Sequence, residues 1–280
     1  MNLATQTANP VVRPATTTGT TFALMPALSL WRREVVRFYR NMSRVVGIIA
    51  SPLLFWIVIG AGFGNSFRNP TTGGGQNYLD FFFPGTLMMI VLFTSIFAMM
   101  SLIEDRNEGF LLSVLVAPVH RSVIVLGKVL GGTTLATLQG LLFLVLAPMI
   151  GIHFNIMQLL LITLDIFLVS FSLTALGFII AWPMDSTSGF HAIINLFLIP
   201  LWLLSGSLFP VGSASQWMAF LMRINPLTYG TEALRNLLFP ATASPEFPLV
   251  KCLTVLVVFT IIMFSLAFVV ANRRSTKPAA

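Results

Sequence analysis

Glu104, Asp105 and Glu108 fall within five positions of one another, interleaved with Arg106, and they are a third of the nine acidic residues in the chain. They open a charged block, Glu104 to Lys128, set between long apolar runs. A charge near the middle of a bilayer costs about 2.5–3.5 kcal/mol on insertion scales, so this block belongs in water or at a protein contact. Behind Gly109 comes an apolar stub, Phe110 to Val116 with Leu111 in it, stopped by Pro118 and followed by Arg121. A short helix of this kind suits insertion into a groove on a partner, with its charged neighbours fixing the register. Packing of the stub on the chain's own helices is the competing reading.

A second set of polar residues lies inside apolar runs. Asp165 is the most suggestive, because an intramembrane carboxylate is by default a candidate for a polar path or a proton relay. The plainer alternative is a hydrogen bond to a neighbouring helix near the outer surface. Ser172 shares its helical face, while Thr163, Ser170, Thr174 and Gly177 share the opposite one. With Gln139 and Asn195 these complete the candidates for a substrate path, although such side chains also serve as interhelical glue.

Catalysis finds little support, since an enzyme needs a convergent site. His120, His153 and His191 sit near the ends of apolar runs and none belongs to an H-E-x-x-H pair. Ser188, Gly189 and His191 read as a helix cap rather than a nucleophile with its base. Cys252 is the single cysteine, which excludes an internal disulfide framework and a cysteine metal cluster. The phosphate-binding pattern G-x-x-x-x-G-K-[ST] is absent: Gly127–Lys128 lacks the upstream glycine and the following hydroxyl.

The elements that must position these residues follow from composition. With 56% hydrophobic residues, 9% charged and a mean hydropathy of +0.89, the chain is a polytopic membrane protein. Its net charge of +7 would suit nucleic acid, but the placement of the charges assigns them to membrane topology and excludes that partner. Residues 1–21, rich in Thr, Ala, Pro and Asn, read as a disordered cytoplasmic tail, and 272–280 as a second one. Between 22 and 44, Arg33, Arg37, Arg40 and Arg44 share one helical face, with Trp31, Val35, Phe38 and Met42 opposite. That pattern predicts an interfacial helix, arginines toward anionic headgroups and aromatics in the acyl boundary; a basic run that only sets orientation is an equal and compatible reading.

Six apolar runs follow, at about 45–63, 83–103, 127–150, 157–181, 190–209 and 250–271, each near the roughly 20 residues that span a bilayer. Placing the N-terminus inside leaves only Arg68, Arg223, Arg235 and Lys251 of the cationic residues outside, so both termini and the Glu104–Arg121 stretch are expected to be cytoplasmic. Gly127 with Gly131, and Gly132 with Ala136 and Gly140, are small-residue ladders that let helix backbones approach. Pro52 should bend the first span, which ends in Gly60 and Gly64. Pro210 to Leu249 is too long for a turn and too apolar for a loop. QWMAFLMRI from Gln216, the break at Asn225–Pro226, and a second stretch holding Tyr229, Glu232 and Arg235 predict two short helices dipping into the outer leaflet. Glu232 and Arg235, three apart, can pair on one face, or simply cap and solubilise the hairpin.

The stretch Glu104, Glu108, Gly109, Pro118, Arg121, Gly127 and Lys128 resembles the signature of ABC-2 type permeases. So does the stretch Leu204, Ser205, Gly206, Phe209, Pro210, Trp217, Asn225, Pro226, Leu227, Thr228, Tyr229, Glu232 and Arg235. Within that family the two stretches resemble daunorubicin-resistance and nodulation-factor permeases. Phe110 and Leu112 depart from the polar residues expected after Gly109. The resemblance implies an all-α fold of six spans with a connecting helix before the first, a coupling helix between the second and third, and re-entrant helices before the last. It further implies a dimer of permease chains, here a homodimer, and a separate ATPase subunit that binds ATP and Mg, leaving this chain without a cofactor of its own. The ATPase-coupling residues would be Glu104, Asp105, Arg106, Glu108, Gly109, Phe110, Leu111, Pro118 and Arg121. A cavity lined by Phe, Leu and Met favours export of a hydrophobic or amphipathic drug or lipid; a lipid-linked glycan or polysaccharide is the runner-up. A proton-coupled secondary transporter working through Asp165 is the alternative from another class.

Overall fold

A helix that is apolar on every face has to be surrounded, and α3 (Tyr78–Ala98) is such a helix, with Phe81, Phe82, Phe83, Leu87, Ile90 and Val91 all buried. The computed structural model describes residues 21–40, 42–63, 78–111, 114, 120–242 and 244–272. After Met99 the chain continues as α4 (Met100–Asn107), giving a 30-residue rod whose most apolar window is 78% buried. This rod is the axis of the molecule. Helices α2 (Met42–Phe63), α5 (Arg121–Leu144), α6 (Ile156–Ala181) and α7 (Thr187–Leu203) pack around it. Helix α1 (Thr21–Arg40) lies along α5. Two short helices, α8 (Gln216–Ile224) and α9 (Pro226–Leu238), precede α10 (Leu249–Asn272), which packs on α6 and α9. The window of α10 is only 11% buried, so this helix is peripheral.

Among the described residues every regular element is helical. Four helices are long and apolar enough to cross a membrane: Tyr78–Asn107, Arg121–Ile150, Ile156–Ala181 and Leu249–Asn272. Two shorter apolar helices, Ile49–Gly62 and Thr187–Leu203, carry the other two expected runs.

Several boundaries differ from expectation. The run expected at 83–103 begins at Tyr78 and continues to Asn107, which puts Glu104 and Asp105 on the last helical turns. The basic helix ends at Arg40, so Arg44 belongs to α2; the arginine spacing runs on in phase and conceals the break. Thr21 and Asn272, assigned to tails, lie in helices, while residues 1–20 and 273–280, Gly64 and Pro118 lie outside the described residues.

Both glycine ladders are contact surfaces. A Cβ on Gly127 would lie 2.8 Å from Leu30 Cβ, and one on Gly131 would lie 2.8 Å from Glu34 Cβ, so this ladder is what lets α1 settle onto α5. Gly132 meets Thr174 of α6 and Gly140 meets Ile166 of α6 and Val91 of α3. The tightest backbone approach lies at the other end. A Cβ on Gly85 would lie 2.6 Å from Ser207 Cβ and 2.8 Å from the Ser207 carbonyl oxygen, while the Gly85 carbonyl accepts a hydrogen bond from Trp202 Nε1 at 2.8 Å.

Replacing Gly85 with Ala should therefore destabilise the protein by about 1–3 kcal/mol through overpacking against backbone. Gly62→Ala, which meets nothing within 4 Å, should be close to neutral. Thermal unfolding in detergent distinguishes them, and equal melting temperatures for the two variants would contradict the packing described.

Candidate functional site

Glu34 stands in the apolar stripe of α1, between Leu30 and Phe38, and Lys128 stands in the apolar run of α5; neither charge is tolerable there alone. The structure brings them together. Lys128 Nζ, on a side chain 1% exposed, bonds Glu34 Oε1 at 2.6 Å, Asp105 Oδ2 at 2.5 Å and Ser101 Oγ at 3.1 Å. Ser101 Oγ in turn donates to Glu34 Oε2 at 2.6 Å. Asp105 is fully buried and its carboxylate is saturated: Arg33 binds it with two nitrogens, at 2.6 and 2.9 Å, Arg37 Nη1 with one at 2.8 Å, and Lys128 completes the set. Arg33 is held above its ordinary pKa chiefly by its hydrogen bonds to Asp105.

Arg37 carries the network outward. Its Nη2 lies 2.9 Å from Glu104 Oε2 and 3.3 Å from Glu108 Oε1. Glu108 is exposed and is followed by Gly109, whose φ of +76° makes the turn after α4. Phe110 packs under the Arg33 guanidinium, 3.6 Å from its centroid, and Leu111 is buried in the core. The expected orientation of the interfacial helix is corrected here: Arg33 and Arg37 turn to the carboxylates of α4, and Phe38 is buried, with Trp31 Nε1 bonded to Thr134 Oγ1 at 3.0 Å. The glycine ladder of α5 draws in the α1 face that was expected to meet acyl chains.

Arg106 and Arg121 serve the ends of other helices. Arg106 donates to the carbonyls of Met184 at 2.9 Å and Trp182 at 2.5 Å and pairs with Asp185 at 3.2 Å, closing the C-terminal end of α6. Arg121 donates to the Ala271 carbonyl at 3.1 Å, at the C-terminal end of α10. Cations at helix C-termini satisfy orphan carbonyls and the helix dipole together.

The four substrate-path candidates do not converge. Asp165, Ser172 and Gln139 are buried within the bundle, whereas Asn195 is exposed on α7. Gln139 accepts from Thr94, and Ser172 donates to the Val169 carbonyl at 3.0 Å. Both carboxylate oxygens of Asp165 are buried without a hydrogen-bond partner. At the far end of the bundle, Asn225 caps α9 through the Leu227 amide and donates to the Leu201 carbonyl at 2.7 Å; Thr228 donates to the Leu204 carbonyl at 3.1 Å. Pro226 fills the first turn of α9, and Tyr229 donates to the Arg223 carbonyl at 2.9 Å. Glu232 and Arg235 do pair, but the pair is buried rather than solubilising; Arg235 Nη2 also donates to the Gly206 carbonyl at 2.9 Å. Arg223, exposed beside them, has its pKa raised by the hydrogen bond to Glu246. The histidines stay apart, and Ser186, joined to Ser188, caps α7 through the Gly189 amide. Among the described residues no cluster of His, Cys, Asp or Glu could hold a metal.

Glu34, Ser101 and the buried role of Lys128 are the part of the site that sequence reasoning missed. A carboxylate inside an apolar stripe was the available signal.

The chain is thus an all-helical bundle of membrane character, with a basic leading helix tied to the end of its central rod and a helical pair before its last apolar helix. The family of ABC-2 type transporters matches residues 27–239, and the chain belongs to it. Among its relatives, the inner membrane transport permease YadH of Escherichia coli K12 is 27% identical over 254 residues, covering 88% of this chain and 94% of YadH. The daunorubicin resistance ABC transporter permease protein DrrB1 of Streptomyces coeruleorubidus is 25% identical, covering 86% and 83%. Nodulation protein J of Rhizobium leguminosarum bv. trifolii is 24% identical, covering 88% and 93%. Family membership implies an ABC transporter with an ATPase partner.

Lys128→Met should cost about 3–5 kcal/mol, because it leaves the buried Glu34 carboxylate without a cation, while Asp105 keeps Arg33 and Arg37. Adding Glu34→Gln to it should recover part of that loss. Chemical or thermal unfolding of the four proteins, the Glu34→Gln single variant included, measures this, and additive losses would contradict a shared network.

Proposed function

We propose that this chain is the membrane subunit of an ATP-driven exporter that moves a hydrophobic or amphipathic molecule, drug or lipid-like, out across the cytoplasmic membrane. In this reading the two shorter apolar helices complete six spans, α8 and α9 are re-entrant on the outer side, and both termini and the Glu104–Arg121 end face the cytoplasm, as the Lys and Arg distribution favours. Two copies form the permease, and a separate ATPase pair binds ATP and Mg. A lipid-linked glycan or polysaccharide is the second substrate class for the same machinery.

The observation that carries the proposal is the exposed turn at Glu108–Gly109, joined through Arg37 to a carboxylate buried among α1, α4 and α5. A partner that engages this turn acts on three helices at once, because Asp105 and Lys128 bind them into one unit, while Phe110 and Leu111 behind it are packed on the chain's own helices. Closure of an ATPase pair would then shift the population between inward-open and outward-open arrangements.

The test is ATP hydrolysis in proteoliposomes holding this chain with its nucleotide-binding subunit, screened with amphipathic drugs and lipids. Glu108→Ala combined with Gly109→Pro removes the more exposed of the two outer partners of Arg37 and forbids the positive φ of the turn. Stimulated hydrolysis should fall to the unstimulated rate while the complex still assembles; unchanged stimulation would remove the coupling role from this turn.

Proton coupling through Asp165 has one observation in its favour, the buried carboxylate without partners. A buried polar group left unmatched costs about 1–3 kcal/mol, so Asp165→Leu should raise stability by that order and leave ATP-driven transport intact. Loss of flux in that variant, together with collapse of flux when the proton gradient is abolished, would instead favour a secondary transporter.

A further inference from the structure

Between α1 and α5 runs a cleft in two adjoining parts that share Phe38 and Leu135 as a wall, the outer part closed by the α3–α4 rod and the inner part bordered by α2. The outer part, about 630 Å³, has a charged rim that includes Glu34, Arg37, Arg40, Glu104 and Glu108. The inner part, about 450 Å³, is mostly apolar, walled by Ile49, Leu138, Leu142 and Val145, with Gln139 and Tyr39 the side chains that carry polar atoms. Leu138, Leu142 and Val145 are 47%, 59% and 68% exposed, so this part opens sideways, where a bilayer would lie.

The charges at the rim are unequally engaged. Glu34 is held by Lys128 and Ser101, and Glu104 and Glu108 are held by Arg37. Arg40 is exposed and has no acidic partner among the described residues; it also borders a third hollow, about 360 Å³, with Arg33, Val36 and Arg37. What the rim offers a ligand is therefore a guanidinium. Inside, Gln139 is 5% exposed; its Oε1 is taken by Thr94, and its Nε2 donor has no partner. Gln139 stands one helical turn, about 5.4 Å, below Leu135 at the junction of the two parts. The Gln139 amide is itself closed off from the opening, so the cleft presents a cation outside and an apolar trough beyond, which describe one amphiphile: an anionic headgroup and an acyl chain.

We infer that this cleft binds a resident anionic phospholipid, its phosphate on Arg40 and its chain along Leu138, Leu142 and Val145. The lipid would cover the outer side of the contact between α1 and α5. This site does not depend on the coupling role proposed above, and its binding is measured without ATP.

Native mass spectrometry of the full chain, titrated with phosphatidylglycerol or phosphatidylethanolamine, tests it. The wild type should retain one phosphatidylglycerol per chain with at least about fivefold preference, the attraction of one arginine for an anionic lipid. Arg40→Ala should remove that preference without moving the melting temperature in lipid-free detergent by more than a degree or so, since Arg40 is exposed and forms no ion pair among the described residues. Leu138→Trp, which fills the trough, should release both lipids. Equal binding of the two lipids by the wild type, or an unaltered preference in Arg40→Ala, would overturn the assignment. So would disulfide cross-linking between two copies through Leu142→Cys, which would make the trough a subunit contact, or ATP-dependent transfer of the bound lipid to the far leaflet, which would make it cargo.

Discussion

A lysine 1% exposed inside an apolar helix bundle is the constraint on which the charged end of this protein depends. Lys128 cannot keep its charge there without Glu34 and Asp105, and each of those sits on a different helix. Glu34 reaches it only because α1 lies close on α5, which Gly127 and Gly131 allow. Asp105 reaches it only because the helical rod of α3 and α4 runs on past Met99 to Asn107. Backbone proximity, helix length and charge neutralisation are thus one requirement expressed three times. Such a lattice adds little net stability over an apolar core, but losing any member is severe, so it specifies one arrangement of α1, α4 and α5.

The other end of the bundle is tied by similar chemistry on a smaller scale. Asn225 and Thr228 take up carbonyls where α7 ends, at Leu201 and Leu204, and Arg235 takes up the Gly206 carbonyl. Gly206, with φ of +76°, turns that carbonyl inward. Between the two polar ends, contact is made by aromatic and aliphatic side chains around α3. By contrast, α7 buries only a narrow stripe, Phe190, Ile194, Leu198 and Trp202, and α10 is almost bare. The apolar surfaces of these two helices meet lipid or another protein, whereas α1, α3, α4 and α5 are committed to each other.

Much of this was legible in the sequence, for reasons that hold residue by residue. Apolar runs report burial in protein or lipid alike, so all six appear as helices, though α5 starts six residues before its expected limit and α7 ends six residues short of its own. The glycine ladders were legible because their spacing of four is a property of one helix. Asn225–Pro226 marked the break between α8 and α9, since Pro belongs in a first turn and Asn caps it. What escaped was whatever depends on two helices at once. Arg33 and Arg37 look like headgroup ligands until a carboxylate on α4 is placed opposite, and Glu232 with Arg235 look like a surface pair until α9 is folded against Gly206. Arg44 continues the arginine spacing although it stands on the next helix. Glu34 alone carried a warning: a carboxylate on the apolar stripe of an amphipathic helix has to have a buried cation waiting.

Arg37 is the residue that joins the two halves of the charged block, and its position explains why three acids cluster within five residues. A single buried carboxylate would have sufficed to neutralise Lys128 alongside Glu34. Instead Arg37 spans from Asp105, fully buried, to Glu104 and Glu108, which are partly and largely exposed. One guanidinium with five donors in a rigid plane can do this where a lysine could not. Because the interior end of that plane is fixed among three helices, displacing the exposed end requires either breaking charge-assisted bonds in a poorly hydrated site or moving the helices together. Breaking buried bonds is the costlier route, so a push at the Glu108–Gly109 turn is expected to move α1, α4 and α5 as a body. That follows from where the charges are buried, whatever molecule supplies the push.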